Sequence, residues 1–221
     1  KNRPNNYRVI SKVNNLKYKQ FISSTIPKNR SLIGDMYIDP KKYFMDLKME
    51  NDISLYIPVF NGEKTIESCL ESVLNQTLKP KSILVIDDNS TDKTKEILNK
   101  YKEQIEIISN KENRGLSYSR NFAVNYLKTK YIASIDADVV LSREWLEIVL
   151  KSLLKNNASL VGGKMYEKYI NNPCNLWRSI RLKQNWGESD ILNPDLVFGC
   201  NNVLNTSNLD LRKIYNNNSE Y

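Results

Sequence analysis

The chain has 221 residues, 40% of them hydrophobic, and a formal net charge of +8, so it can bury one substantial core. It contains no histidine, which excludes histidine-based triads, histidine general bases and zinc sites with histidine ligands. Acid–base chemistry must therefore fall to carboxylates, and any metal site must consist mostly of oxygen ligands.

The positive charge lies in residues 1–50, which hold 11 Lys/Arg and 4 Asp/Glu, against 22 and 21 in the remainder. Apart from a short helix predicted after Asp39-Pro40, these residues lack clear periodicity. We interpret residues 1–50 as a basic N-terminal appendage or linker and residues 51–221 as one domain. The basic segment fits an anionic membrane surface, and a solvated leader equally well; we expect no nucleic-acid partner.

No apolar run in the sequence is long enough to span a bilayer. The three cysteines, Cys69, Cys174 and Cys200, are odd in number and widely spaced, which fits free thiols in a reducing compartment. These features predict a cytoplasmic protein, peripheral at the cytoplasmic membrane face where the basic segment binds lipid. The chain opens on Lys1 rather than methionine, so we expect it to be part of a longer protein.

Strand and helix patterns alternate strictly from residue 52 onward. The predicted elements are strands at 53–57, 82–86, 105–108 and 131–135, each followed by a helix, at 63–75, 91–101, 116–127 and 143–154. Such alternation predicts an α/β fold with a mostly parallel sheet and helices on both faces. Further on, the pattern indicates strands at 159–163 and 196–203, a basic amphipathic stretch at 176–186 and a short helix at 208–214.

Acidic and turn residues follow three of these strands. Because the carboxyl ends of parallel strands lie at one edge, we expect residues 58–61, 87–89 and 136–138 to meet there, where open α/β sheets bind ligands. Asp136-Ala137-Asp138 offers hard oxygen ligands suited to Mg²⁺ or Mn²⁺ carrying a diphosphate. Taken alone, the pair is interpreted equally well as two solvated aspartates.

Residue chemistry assigns these side chains roles in a nucleoside-diphosphate site. Asp88 can accept hydrogen bonds from a base, Asp136 can bind ribose hydroxyls or metal-bound water, and Asp138 can ligate the metal. Arg120 can reach back to the base or the phosphates. Helix capping is the alternative for Asp88 and its neighbour Asp87, and a surface helix position is the alternative for Arg120.

Two other classes fit less well. A phosphorelay receiver domain would use the same acids, but it would leave the first strand and its helix unexplained. A dinucleotide oxidoreductase would need the Gly-x-Gly-x-x-Gly pattern, which is absent.

Four segments together resemble the family 2 glycosyltransferases of GT-A fold. They are, in chain order, IPVFN at 57–61, VIDDNSTD at 85–92, NRGLSYSRN at 113–121 and IDAD at 135–138. Each segment is common alone, but their order and spacing are specific, and the resemblance covers about residues 52–205. It implies inverting transfer of a sugar from a nucleotide diphosphate sugar, often UDP, with Mg²⁺ or Mn²⁺.

The resemblance also carries roles over to individual positions. Its nucleotide-binding residues correspond to Pro58, Val59, Phe60, Asp88, Arg120, Asp136 and Ala137, and its metal ligand to Asp138. Residues 162–163 resemble the loop near the donor sugar, and residues 198–202 the strand that borders the acceptor.

The resemblance further implies an acceptor and a catalytic base. The acceptor would be a glycan, a lipid-linked sugar or a protein. The family's base follows the acceptor strand after a helix and a loop, so we expect it beyond Tyr221, with Glu220 a poor candidate. On this interpretation the chain binds donor but turns over inefficiently. The stretch at 176–186 would pack on the sheet as an acceptor-side helix or, alternatively, lie at a membrane interface.

Overall fold

The computed structural model describes residues 7–9, 52–167, 170–181, 191–194, 197 and 199–208, which form a mixed α/β structure. Its elements are, in chain order, β1 (Tyr7–Val9), β2 (Ile53–Val59), α1 (Ile66–Leu74), β3 (Ser82–Asp87), α2 (Thr94–Lys100), β4 (Glu106–Ser109), α3 (Leu116–Tyr126), β5 (Tyr131–Ile135), α4 (Trp145–Asn156), β6 (Leu160–Gly163), α5 (Pro173–Arg181), β7 (Asn201–Asn205) and a 3₁₀ turn (Thr206–Asn208). The predicted alternation of strands and helices from β2 to α4 is confirmed.

The described strands form one sheet in the order β1-β6-β7-β5-β2-β3-β4. Strands β5, β2, β3 and β4 pair in parallel. Strand β7 lies antiparallel between β5 and β6, and β1 pairs antiparallel with β6. Five of these seven strands therefore run in one direction, and the prediction of a mostly parallel sheet flanked by helices is confirmed.

The central strands are mostly apolar and are buried over their whole length, because both faces of the sheet are covered. Every residue of β2 and of β5 is buried. A continuous apolar run is the pattern expected for a strand between two helical layers. Ser54 in β2 donates or accepts a 2.8 Å hydrogen bond with Ser82 in β3, which satisfies two hydroxyls within this apolar layer.

Helices α1 and α4 bury the stripes that their periodicity predicted. Helix α1 buries Ile66, Cys69, Leu70 and Val73, at the spacing of one helix face. Helix α4 is capped by Asn157, whose φ of 47° provides the left-handed conformation that closes many helices. Both helices begin two or three residues later than predicted, since residues 63–65 and 143–144 form turns.

Only residues 7–9 are described within the predicted N-terminal appendage, and their backbone pairs with β6. The domain boundary at residues 50 and 51 stays a prediction. The helix predicted after Pro40 and residue Glu220 lie outside the described residues. The helix predicted at 208–214 lies outside them as well, apart from Asn208. Among the described helices, none is long and apolar enough to cross a membrane.

Candidate functional site

The parallel strands β2 and β3 end side by side, where two of the predicted motifs follow them. Val59 pairs in register with Asp87, and the amide of Asp88 donates to the Val59 carbonyl at 2.8 Å. The side chains of Pro58 and Val59 are buried, whereas Phe60 is 49% exposed. Of these first-strand residues, Phe60 is the one whose side chain is open to a ligand.

The loops after β2 and β3 are joined by hydrogen bonds that the sequence did not predict. The amide of Asn61 donates to Ser90 Oγ at 3.0 Å, and Asn61 Oδ1 accepts from the amide of Thr91 at 2.8 Å. Asn61 and Asn89 have positive φ values of 51° and 64°, which asparagine tolerates better than most residues. An asparagine at the same place in two strand-end turns is the signal that would have identified this junction.

Asp88 organises a third segment of the site. Its Oδ1 accepts hydrogen bonds from Asn110 Nδ2 at 2.6 Å and from the Arg114 amide at 2.9 Å, and its Oδ2 accepts one from the Gly115 amide at 2.7 Å. The residue is 4% exposed. Asp88 therefore fixes the turn that begins α3, where Gly115 takes a φ of 86° that favours glycine. A carboxylate has about four acceptor positions, so Oδ2 retains one for a further donor.

The structure does not support helix capping by the acids after β3. Asp87 is fully buried; its Oδ1 accepts from the Ser90 amide at 3.0 Å, and its Oδ2 lies 3.8 Å from Lys95 Nζ. The side chain that bonds the first residue of α2 is Asp92 instead. Asp87 shapes its own turn, and Asp88 bonds the α3 turn.

An ion pair links α3 to the end of β5. Arg120 donates to Asp136 Oδ1 at 2.7 Å, and these side chains are 11% and 26% exposed, so Arg120 is not a surface residue. Burial raises the pKa of Asp136 above its ordinary value; the Arg120 guanidinium opposes this rise, and Asp138 adds to it. Gly199 packs on the guanidinium, which a Cβ there would meet at 2.6 Å. The predicted contact of Arg120 with a nucleotide would share its donors with Asp136.

Asp138 is exposed at the turn after β5, with Ala137 and Asp136 half-buried beside it. This turn is held by the Asp136 amide, which donates to the Cys200 carbonyl at 3.0 Å, and by Cys69 Sγ, 3.6 Å from the Asp136 carbonyl. Burial, with both carboxylates nearby, raises the pKa of the Cys69 thiol to about 12. Cys69 is therefore a buried, protonated thiol whose S–H points to the Asp136 carbonyl.

The carboxylates at this turn fit a divalent metal ion whose remaining ligands come from a substrate. The described residues hold no cluster of three or more His, Cys, Asp or Glu side chains that would form a metal cage. Mg²⁺ is commonly held by one or two carboxylates together with substrate phosphates. The exposed carboxylate of Asp138, with Asp136 two residues away, matches that incomplete donor set.

The positions expected near the donor sugar, 162–163, and beside the acceptor, 198–202, are only partly described. Gly162 and Gly163 belong to β6 rather than to a loop, and the Gly163 amide donates to Asn201 Oδ1 at 2.8 Å. A Cβ on Gly163 would meet Trp145 Nε1, so this glycine permits close packing of α4 on the sheet. Phe198 lies outside the described residues.

Comparison with known proteins identifies relatives for this arrangement. The family model described as Glycosyl transferase family 2 matches residues 54–203. The Escherichia coli UDP-Glc:alpha-D-GlcNAc-diphosphoundecaprenol beta-1,3-glucosyltransferase WfgD is 35% identical over 121 residues, which are 54% of this chain and 47% of that protein. Glycosyltransferase GlyA of Streptococcus pneumoniae is 31% identical over 120 residues, 53% of this chain and 17% of GlyA. The chain thus spans less than half of either relative.

A solved structure shares the fold. The mannosyltransferase PcManGT from Pyrobaculum calidifontis, in complex with GDP-Man and Mn²⁺, superposes with a TM-score of 0.53 and 19% identity. The match covers 71% of this chain and 45% of that one. At this identity the likeness concerns the fold, which supports the GT-A architecture.

Proposed function

Because the chain belongs to glycosyl transferase family 2, we propose that it transfers a sugar from a nucleoside diphosphate sugar, most simply a UDP-sugar, to a hydroxyl acceptor with inversion. The observation that carries the proposal is that Asp88, Asp136 with its ion-pair partner Arg120, and exposed Asp138 follow the carboxyl ends of β3 and β5, which run parallel in one sheet. Ligands of open α/β sheets bind at this edge. A receiver-like domain is disfavoured, since it would leave β2 and α1 unexplained, whereas the family model covers both.

The nucleotide would lie over the strand ends β2 and β3. Exposed Phe60 can pack against the base, while Pro58 and Val59 shape the backbone beneath it. The remaining acceptor position on Asp88 Oδ2 can take an N–H from the base. Asp136, oriented by Arg120, and the backbone at Ala137 would bind the ribose.

Asp138 would hold the metal, Mg²⁺ or Mn²⁺, with Asp136 adjacent through bound water. The bound ion supplies positive charge to a departing diphosphate. Arg120 contributes a second positive charge beside the same carboxylates. Asp136 is not assigned as the general base, because its Oδ1 is engaged by Arg120. No described residue is assigned that role.

The acceptor is proposed to be a glycan, a lipid-linked sugar or a protein hydroxyl. The name of the E. coli relative specifies a diphosphoundecaprenol-linked acceptor, which favours the lipid-linked class. A protein that acts on such an acceptor would work at the cytoplasmic membrane face, as a peripheral protein of the cytoplasm.

Calorimetric titration with UDP, with and without Mn²⁺, tests the proposal. Binding should require the metal, and Asp138→Asn should weaken it by about tenfold or more, because one ligand charge is lost. Glu112→Gln, an exposed neutralisation on the loop before α3, is the matched control and should bind normally. Metal-independent binding that Asp138→Asn leaves intact would contradict the proposal. If the protein binds nucleotide sugars but neither hydrolyses nor transfers any of them, a nucleotide-binding module without catalysis would be favoured.

A further inference from the structure

Helix α5 turns its apolar face outward. Leu176, Trp177 and Ile180 share one face at helical spacing and are 46%, 56% and 56% exposed. On the opposite side, Asn175 and Ser179 are half-buried. A helix of a water-soluble domain normally buries its apolar stripe and exposes its polar one. The reversed orientation of α5 indicates that another surface covers it.

Exposed apolar side chains are concentrated in the stretch of chain that contains this helix. Of the ten large apolar side chains that are exposed in the described part of the chain, six lie between residues 166 and 192. They are Tyr166, Ile170, Leu176, Trp177, Ile180 and Leu192. Single exposed apolar residues need no explanation, but a cluster of this kind marks an interaction surface.

The charges described beside the apolar face are mostly positive, with half-buried Glu167 the one acid among the described residues from 164 to 194, and they favour an anionic partner. Helix α5 contains two arginines and no acidic residue, and Arg181 is exposed next to Ile180. Lys164 lies 4.9 Å from the centre of the Tyr166 ring. A Trp and a Tyr with Lys and Arg at the rim of an apolar face is the composition of interfacial helices that insert between anionic headgroups.

The cluster also begins beside the candidate site. Met165, which precedes Tyr166, has its sulfur 3.3 Å from Cys200 Sγ, and the Cys200 carbonyl accepts the Asp136 amide at 3.0 Å. A surface that binds this cluster would therefore lie near the turn of Asp136 and Asp138.

We propose that the outward face of α5, together with Tyr166 and Ile170, docks on the surface of an anionic lipid bilayer. The apolar side chains enter the boundary between headgroups and acyl chains, and Arg181 and Lys164 pair with headgroup phosphates. The docking rests on the proposed function for its purpose, which is to bring the sugar-transfer site to a lipid-linked acceptor.

Co-sedimentation with vesicles tests this docking. The protein is mixed with phosphatidylglycerol–phosphatidylcholine vesicles at low salt and at about 0.5 M salt, where attraction through residues 1–50 is screened. Binding that survives high salt should fall by about tenfold in the Trp177→Ser, Ile180→Ser double variant, because two inserted apolar side chains are lost. The control is Tyr126→Ser, Leu154→Ser, which removes side chains 44% and 38% exposed on α3 and α4 and should bind as the unmodified protein does.

Fluorescence adds a readout that is specific to α5. Brominated lipids should quench part of the tryptophan emission, and Trp177→Phe should remove that part. Equal vesicle binding by the α5 and control variants would overturn the proposal, as would absence of quenching. The proposal would also be overturned if sedimentation velocity showed that the α5 substitutions dissociate a dimer without changing vesicle binding, since the α5 face would then bind a second copy of the protein.

The test separates docking from the proposed function. Asp138→Asn should bind vesicles normally, and the α5 variant should bind UDP normally. Loss of UDP binding in every form would refute the transferase site and leave docking standing. Loss of vesicle binding alone would refute docking.

Discussion

At the scale of single residues, Asp88 combines an observed structural role with the ligand-binding role that we propose for it. Its three hydrogen bonds hold the turn before α3, and one acceptor position remains on Oδ2. Residue chemistry predicted the ligand role, whereas the bonds to the Arg114 and Gly115 amides depend on how a distant segment folds back. Asp88 thus connects the loop after β3 to the helix that carries Arg120.

Asp88→Asn is expected to lower the free energy of unfolding by about 1–3 kcal/mol, because an amide nitrogen then faces backbone N–H donors that need an acceptor. Urea unfolding measures the change. UDP affinity should fall in the same variant. Glu112→Gln removes an exposed charge nearby and should change neither quantity by more than about 0.5 kcal/mol. Equal stability of Asp88→Asn and the unmodified protein would show that the three bonds do not hold the turn.

The cysteines give a second prediction at this scale. Burial raises the pKa of Cys69 to about 12 and that of Cys200 to about 11, and nearby carboxylates add to both shifts. A raised thiol pKa means less thiolate at a given pH, and the thiolate is the reactive form. At about pH 8, iodoacetamide should therefore modify exposed Cys174 well before the other two. Mass spectrometry of native and urea-unfolded protein measures this order; rapid native modification of Cys69 would contradict the burial of its thiol.

At the scale of elements, the end of α1 is locked to the start of α4. Gln76 is 1% exposed; its amide group donates to the carbonyls of Ser72 and Ser142 and accepts from the Leu146 amide. Ser72 also accepts from the Leu141 amide at 3.0 Å. The chain between β5 and α4, which begins with Asp136–Asp138, is thus anchored on α1.

Gln76→Leu should destabilise the protein by about 2–4 kcal/mol, because the carbonyls of Ser72 and Ser142 and the buried amide of Leu146 would lose their hydrogen bonds to the Gln76 side chain. Chemical denaturation is the measurement. Gln104→Leu, at an exposed position after α2, is the matched control and should change stability little. The Gln76 variant should also weaken metal-dependent UDP binding, since its anchor supports the turn of Asp138. A small effect equal to that of the control would show that the lock is dispensable.

Element positions were predictable where the signal is local. The apolar runs of β2, β3 and β5 identified strands, and strict alternation with helices implied parallel pairing. The antiparallel insertion of β7 between β5 and β6 was not predictable from those runs, because it depends on contacts between segments far apart in the chain. The hydrogen bonds of Gln76 were not predictable for the same reason, because its partners Ser142 and Leu146 are 66 and 70 residues away in the chain.

At the scale of the whole molecule, the candidate site is a property of the sheet rather than of any one loop. The motifs on β2, β3, α3 and β5 were identified from local sequence, and parallel topology brings them to one edge. The hydrogen bonds and ion pairs that connect the motifs were not predictable: the sequence did not indicate that Arg120 contacts Asp136. An ion pair between residues on different elements leaves no periodic signature. Composition indicated an amphipathic stretch at 176–186 but not which face turns outward.

Hydrogen exchange measured by mass spectrometry can test this view of the site across the chain. In the free protein, exchange should be slowest in β2, β3 and β5, whose residues are almost all buried, and faster in the edge strand β4. Adding UDP and Mn²⁺ should slow exchange in four segments at once, 58–62, 87–92, 113–120 and 136–139, because hydrogen bonds already join neighbouring members of this set.

The matched control for that experiment is Asp138→Asn with the same ligands, in which the protection by UDP should be lost. The protection should also be lost when EDTA removes the metal from the unmodified protein. Strand β4 and helix α5 should not respond to UDP, since neither carries a motif of the edge. Protection limited to one loop would mean that the motifs act separately. Protection of all four segments without metal would show that nucleotide binding does not depend on a metal ion at Asp138, and would contradict the proposed metal site.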